Sequence, residues 1–570
     1  MLLPREMRPG SIAYFSMEVG LDSSMPTYSG GLGILAGDTL RAAADLGLPM
    51  IGVTLLHRQG YFHQHLDCTG NQLECPAAWN FDEVLEPMAP RILVPIEGQQ
   101  VHVCAWRHIV RGVFGHTVPV YFLDTGLDDN SPGEQSLTDA LYAGNSYHRL
   151  CQEVVLGMGG IAMLDALGFK NVHTYHMNEG HAAFLTLALL EQLTNGGGLS
   201  AATEWEREAV RQRCVFTTHT PVPAGHDQFS FELISRVLGP ERLAALEAMQ
   251  CIQNGSLNLT YLALQLSRYI NGVAMRHGEI SRDMFPHYPI DSITNGVHAL
   301  TWTSLPFRNL YDRYIPEWRR DNFYLRYATK LPLAEVRRAH VLAKRELLAK
   351  VAQRTGTHLD ENVMTLCFAR RATAYKRADL LFEDLERLKS IAQRVGPFQV
   401  IYGGKAHPQD DDGKALIRRI FEFAACLGED IRIVYMENYD MELARSLCAG
   451  VDLWLNTPQR PMEASGTSGM KAALNGVPSL SILDGWWIEG HVEGVTGWAI
   501  GDRYDGGIEL AEEASSLYDK LEHVILPLFY SHPEAYTEIR RSTIALNGSF
   551  FHTQRMVLQY VRNAYLGVEP

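Results

Sequence analysis

Thr365-Leu-Cys-Phe368-Ala-Arg370-Arg371-Ala-Thr-Ala-Tyr375-Lys376-Arg377 runs from an apolar, β-prone segment straight into four cations. Thr365–Phe368 shows no polar alternation, as expected of a strand covered on both faces. Just beyond the carboxyl end of such a strand, a cation cluster is well placed to hold a multiply charged anion. A solvated basic loop is the alternative.

Similar runs recur outward in both directions. They include Ile12-Ala-Tyr-Phe15, Thr117-Val-Pro-Val-Tyr-Phe122, Val172-His-Thr-Tyr175, Cys214-Val-Phe-Thr217, Phe398-Gln-Val-Ile-Tyr402, Ile431-Arg-Ile-Val-Tyr435 and Pro478-Ser-Leu-Ser-Ile482. Helical patterns separate them, for example over Ala339–Gln353 and Asp379–Ala392. The fold class expected is α/β, with two doubly wound Rossmann-like domains and ligands beyond the carboxyl ends of the strands. The boundary is expected near Ile293–Trp302, giving domains 1–298 and 299–545. From about Ser515 the pattern is helical only.

A chain of 570 residues is long for one core and suits two. A net charge of −15 argues against nucleic acid as a partner and makes a local basic cluster more informative. No apolar run is long enough to span a membrane. The start, Met1-Leu-Leu-Pro-Arg-Glu-Met-Arg8, lacks the apolar core of a signal peptide. Nine scattered cysteines without metal or disulfide spacing fit a reducing compartment, so a cytoplasmic protein is expected and no metal site.

A second motif is Glu463-Ala-Ser465-Gly466-Thr467-Ser468-Gly-Met-Lys471-Ala-Ala-Leu-Asn475. Hydroxyls and free backbone N–H groups gather where a short helix starts, a favourable place for an anion. Thr467 and Lys471, four apart, share one face. An amine beside an anion-binding turn suits a cofactor with an aldehyde and a phosphate, hence pyridoxal 5′-phosphate held as a Schiff base. A capped surface helix with a solvated lysine is the plainer reading.

The segment resembles the cofactor-attachment motif of the α-glucan (glycogen, starch or maltodextrin) phosphorylases, with Ser468-Gly469 replacing the Gly-Asn of the animal-type enzymes. Matches run from Tyr14 to about Trp498. The resemblance implies a glycosyltransferase-B architecture with the active site in the cleft between the domains, and a C-terminal helix within 546–570 packing back on the first domain. It implies that Arg371 and Lys376 hold inorganic phosphate, and that Arg370 stands near the cofactor phosphate with Gly466, Thr467 and Ser468. Thr373 replaces a histidine of the animal-type enzymes. Tyr439, in Glu437-Asn-Tyr439, is implied beside the cofactor ring, although a packed aromatic is equally compatible. The family's N-terminal regulatory extension has no counterpart here, so allosteric regulation of that kind is not expected.

Near the start, Tyr28-Ser-Gly30-Gly31-Leu-Gly33 opens a helix ending at Gly47. Its glycines could bring backbone N–H groups close to an anion, or only supply a tight turn. It resembles the family's glycine loop facing the substrate phosphate. Sugars need short directional polar groups, and His176-Met-Asn-Glu-Gly-His181, Thr217-Thr-His219-Thr220 and Asn295-Gly296 supply them at expected strand ends. By resemblance His219 and Asn295 contact the glucosyl unit, Glu463, Ser465 and Gly466 its hydroxyls, and His181 supports them, as does Asn271–Ile280.

The activity implied is reversible phosphorolysis of α-1,4-glucan ends to α-glucose 1-phosphate with retention. Phosphate protonates the glycosidic oxygen, and the cofactor's phosphate serves as its proton relay. The partners expected are glucan or maltodextrin, inorganic phosphate and glucose 1-phosphate, with a homodimer left open. A nucleotide-sugar glycosyltransferase would share the fold but not need Lys471. A pyridoxal-phosphate aminotransferase would need an acidic partner for the pyridine nitrogen. A catalytically inactive glucan-binding protein is the reading from another class.

Overall fold

The structure, a computed structural model, describes residues 9–194, 198–222, 225–428, 431–501 and 509–566. The chain forms two compact units. One comprises Met1–Phe62, Pro76–Ile293 and Met556–Pro570, the other His63–Cys75 and Thr294–Arg555. These bounds differ from 1–298, 299–545 and 546–570. The division falls at Ile293, a hairpin from the first half belongs to the second unit, and the tail returns from Met556. Among the described residues no helix is long and apolar enough to cross a membrane.

The first unit is built on a nine-stranded sheet: β1 (Ile12–Ser16), β2 (Met50–Leu55), β3 (Glu86–Ile96), β4 (Gln99–Arg111), β5 (Thr117–Asp124), β6 (Thr174–Asn178), β7 (Cys214–Thr217), β8 (Tyr269–Gly272) and β9 (Ile290–Ser292). Their order is β9-β8-β7-β6-β1-β2-β5-β4-β3, parallel except where β4 pairs with β5 and β3. Chain order reverses between β1 and β6, and such a switch point opens a crevice at the strands' carboxyl ends. The runs named from sequence do not include β2, β3, β4, β8 or β9. Edge strand β3 carries Pro87, Pro90 and Pro95 and exposes alternate residues, so no continuous apolar run marks it.

The last helix, Thr553–Tyr560, and the turn after it pack Met556, Val557 and Val561 into the same core as Ile12, Tyr14 and Leu21. The Asn271 amide donates to the Tyr560 hydroxyl at 2.9 Å, and the Tyr565 hydroxyl meets His176 Nδ1 at 2.6 Å.

The second unit holds six parallel strands: β10 (Met364–Ala369), β11 (Phe398–Gly403), β12 (Ile431–Met436), β13 (Leu453–Asn456), β14 (Ser479–Ile482) and β15 (Gly497–Ile500). Their order, β12-β11-β10-β13-β14-β15, is the Rossmann arrangement with a switch point between β10 and β13. At the amino ends of those two strands Asp452 is buried among Lys344 (2.5 Å), His340 (2.9 Å) and Arg540 (2.6 Å), and accepts the Thr365 N–H. That cluster clamps helix Leu333–Thr355 and helix Pro533–Thr543 to the sheet. The helix expected over Asp379–Ala392 begins only at Leu385, because Asp384 turns out to be its cap, accepting from the Arg387 N–H.

Candidate active site

At the switch point of the second unit, the loop after β10 meets the loop after β13. Main-chain bonds from Arg370 to Gly403 and from Ala372 to Lys405 extend the β10–β11 pairing beyond the strands. Gly404 permits this, since a Cβ there would lie 1.9 Å from the Arg370 carbonyl oxygen.

The four cations then separate. Arg370 reaches Glu463 Oε2 at 2.7 Å and Lys376 reaches the same oxygen at 2.5 Å. Burial would raise the Glu463 carboxyl, but Arg370 and Lys376 outweigh it and hold it below the usual carboxylate range. Arg377 turns to Glu513 (2.5 Å) and to the Thr457 and Pro458 carbonyls, a structural role. Arg371 is exposed, and no described acceptor pairs with it. The basic cluster is thus neither all anion site nor all solvated loop.

Helix α1 of this site, Thr467–Ala473, follows Gly466, whose φ of +85° suits glycine. It is only two turns long, so local N–H and hydroxyl groups matter more than its dipole. Lys471 is buried, its ammonium 3.8 Å from the Trp302 ring centroid. The Asn475 amide group ties that helix to Trp302 and Ser304. Ser468 Oγ accepts from the Trp454 indole, so it faces the interior beneath the turn. Tyr439 packs over Gly403 at the carboxyl end of β11. Arg370 Nε, Asn456 Oδ1 and Ser465 Oγ are buried without a hydrogen-bond partner. Buried polar atoms are ordinarily satisfied, so these three fit a bound polar group, and the buried amine of Lys471, on the helix that follows Ser465, suits a phosphate-bearing aldehyde cofactor.

Asn295 belongs to this second unit, not the first as expected. Its carbonyl accepts from Arg555 at 2.9 Å, and its Oδ1 is buried without a partner.

In the first unit, the ends of β1, β6 and β7 carry a connected chain. His219 Nε2 meets Asn178 Oδ1 at 2.6 Å, Asn178 donates to Ser16 Oγ at 3.0 Å, and Ser16 donates to the Glu18 carbonyl at 2.7 Å. Burial pushes the His219 imidazole down to about 4, the nearby Glu179 carboxylate opposing only in part, so the ring is neutral at pH 7. Glu179, at φ +77°, accepts from the His219 N–H (2.7 Å) and the Thr220 hydroxyl (3.0 Å). His181 faces Asp227 at 3.1 Å. Glu153, His181 and Asp227 lie close enough to share a cation, but Arg149 donates to both carboxylates at 3.0 Å and already supplies the positive charge.

The glycine loop differs from expectation. Gly30 N–H donates to the buried Glu18 carboxylate (3.2 Å), as does Ser29 N–H (2.6 Å), and the Tyr142 hydroxyl caps the same group. A Cβ on Gly33 would meet Glu18 Oε2 at 2.7 Å, whereas one on Gly30 or Gly31 would meet open space. Gly30 therefore spends its amide on Glu18. The first-turn amides of helix Gly31–Leu46 have no intrahelical partner.

Sequence reading missed Glu18, Lys405 and Asp484. Each follows a strand end as Arg370 does, but as a single charge next to ordinary turn residues. Burial lowers the Lys405 ammonium to about 8, with Asp440 opposing.

A family model described as carbohydrate phosphorylase matches residues 239–494, which contain Asn295, Arg370, Arg371, Lys376, Tyr439, Glu463 and Lys471. The chain is 38% identical to a maltodextrin phosphorylase of Thermococcus litoralis, over 97% of this chain and 70% of that protein. The chain belongs to the carbohydrate phosphorylase family. Glycogen phosphorylases of Mycobacterium tuberculosis (37% identity, 98% of this chain and 71% of the relative) and Aquifex aeolicus (35%, 97% and 86%) agree. Membership of this phosphorylase family covers both units, since the alignments reach well beyond 239–494 and take in Gly30–Gly33, His181 and His219.

Proposed function

We propose that this chain is an α-glucan phosphorylase that transfers terminal α-1,4-glucosyl units of a glycogen- or maltodextrin-like glucan to inorganic phosphate. The product is α-glucose 1-phosphate, with retention. The observation that carries the reading is the second unit's switch point, where Arg371, with no partner among the described residues, adjoins the Arg370–Glu463–Lys376 cluster and the loop after β13 leads into a buried Lys471.

Lys471 is the residue to hold pyridoxal 5′-phosphate, with Tyr439 alongside and Arg370, Ser465 and the Gly466–Ser468 turn on its phosphate. When bound, that group supplies a phosphate able to exchange a proton with the substrate phosphate. Arg371 and Lys376 neutralise inorganic phosphate. Glu463 serves two purposes, balancing the cations and keeping lone pairs for glucosyl hydroxyls. Neutral His219, held by Asn178, offers a polar ring without adding charge, and Asn295 offers its free Oδ1. The cytoplasm is the proposed location, on nine cysteines that are all free thiols.

The test is to incubate the purified protein with maltodextrin and phosphate and follow glucose 1-phosphate, while recording the cofactor absorbance. Release that depends on phosphate, needs no sugar nucleotide and accompanies one cofactor per chain is expected. Transfer from a nucleotide sugar without phosphorolysis would overturn the reading.

A further inference from the structure

Asp484 lies just past the carboxyl end of β14, the strand next to the switch point. Its Oδ2 accepts the Glu463 N–H and its Oδ1 the Gly485 N–H, both at 2.9 Å. Two residues on, the Trp486 N–H donates to the Ser465 carbonyl at 2.8 Å. Gly485 has φ +54°, and a Cβ there would stand 2.5 Å from the Ser465 carbonyl oxygen. The 484–486 turn therefore grips the 463–465 loop at both ends, at a separation only glycine allows. Asp484 is 3% exposed, so two amides have replaced its water.

We infer that Asp484 is a positioning residue that, through the Glu463 amide, holds the Glu463 carboxylate against Arg370 and Lys376. What it positions for, phosphate and a glucosyl unit, rests on the phosphorylase reading. A second consequence is electrostatic. The groups facing Asp484 are Glu463 from the loop after β13, Lys376 from the turn after β10, and the amides of its own turn, with Arg370 bound to the same Glu463 oxygen as Lys376. With Asp484 ionised the four side chains are neutral together, and with it protonated they carry one positive charge. Burial and the neighbouring Glu463 charge raise the Asp484 carboxyl to about 7. Anion affinity at this cluster therefore falls as pH rises through neutrality.

Sulfate is the probe, because its charge stays constant over this range. Calorimetry on the wild-type holoenzyme should show tighter sulfate binding at pH 6 than at pH 8.5. In Asp484→Asn the amide offers one acceptor where two N–H groups converge. Sulfate affinity should become independent of pH, and kcat/KM for maltodextrin should fall about 10- to 100-fold, the worth of one hydrogen bond to a charged group. Asp484→Glu restores the charge without the geometry, so it should recover the pH dependence but not the full kcat/KM. Asp484→Asn with wild-type kcat/KM and wild-type pH dependence overturns the inference. So does wild-type sulfate affinity that is flat from pH 6 to 8.5, a result that needs no variant to fold. Absence of any phosphorolysis by the wild type would instead sink the phosphorylase reading, leaving the sulfate measurement to decide about Asp484.

Discussion

The Lys376 ammonium and the Glu463 carboxylate stand 2.5 Å apart, both buried, with Arg370 on the same carboxylate oxygen. By resemblance to the family, Lys376 is expected on a phosphate and Glu463 on a sugar. The structure gives each the other as its standing partner. A phosphate entering here would join a cluster that already has one anion, and Arg371 is the cation of the segment with no partner among the described residues.

Glu463→Gln should therefore cost stability as well as turnover. Breaking a buried ion pair from one side is typically worth about 3–5 kcal/mol. The urea midpoint is expected to fall, and tens of millimolar sulfate should restore part of it by supplying the missing negative charge. A variant with wild-type stability, or one that sulfate does not rescue, contradicts the role given to Glu463.

Arg371→Ala should show the opposite pattern. The side chain is exposed and without a described partner, so melting temperature should stay close to wild type. Loss of one charge-assisted contact to phosphate is worth about 2–4 kcal/mol in the transition state. Initial rates against phosphate concentration should show a sharply reduced kcat/KM for phosphate and little change in glucan affinity. Unchanged phosphate dependence would return Arg371 to the status of a solvated surface residue.

Lys471→Ala should remove the bound cofactor and with it the absorbance of the purified protein, along with all phosphorolysis. Lys471→Arg keeps a cation against the Trp302 ring but cannot form the tether, so it should fold better and be equally colourless. Either variant retaining stoichiometric cofactor after gel filtration would show that the anchor is elsewhere.

Much of this was legible because the second unit's sheet and the centre of the first unit's are parallel and buried, which leaves continuous apolar runs such as Thr365–Phe368 and Cys214–Thr217. Residues beyond those runs could be assigned to the functional end of a sheet without knowing the fold in detail. What stayed hidden depends on pairing across long sequence separations. Nothing local says that Gly30 gives its amide to Glu18, or that Arg377 turns to Glu513 while Arg371 stays free. Gln64 and Gln72 carry the hairpin onto Gly404 and Ala406 of the second unit, far along the chain. Strand β3, with its three prolines and half-exposed face, lacked the periodicity that reveals a strand.

Buried histidines set the last prediction. Burial lowers His57, His219, His277 and His340 to about 4 and His176 and His552 to about 3. In the unfolded chain each titrates near 6.5. Between 4 and 6.5 the unfolded state therefore binds more protons than the folded one, and stability rises with pH across that window. Each such histidine can contribute up to about 1.4 kcal/mol per pH unit. Asp484 and Glu153 act in the opposite sense, since burial raises both carboxyls, but they are fewer. Urea midpoints measured from pH 7 to pH 4.5 should fall steadily, with the steepest loss below 6.5. His176 and His552, pushed lowest, should be the strongest contributors, whereas at His340 Arg540 and Lys344 disfavour protonation and the Asp452 carboxylate opposes them. A midpoint that holds level or climbs as pH drops from 6.5 to 4.5 would mean that these rings are not held neutral in the folded protein.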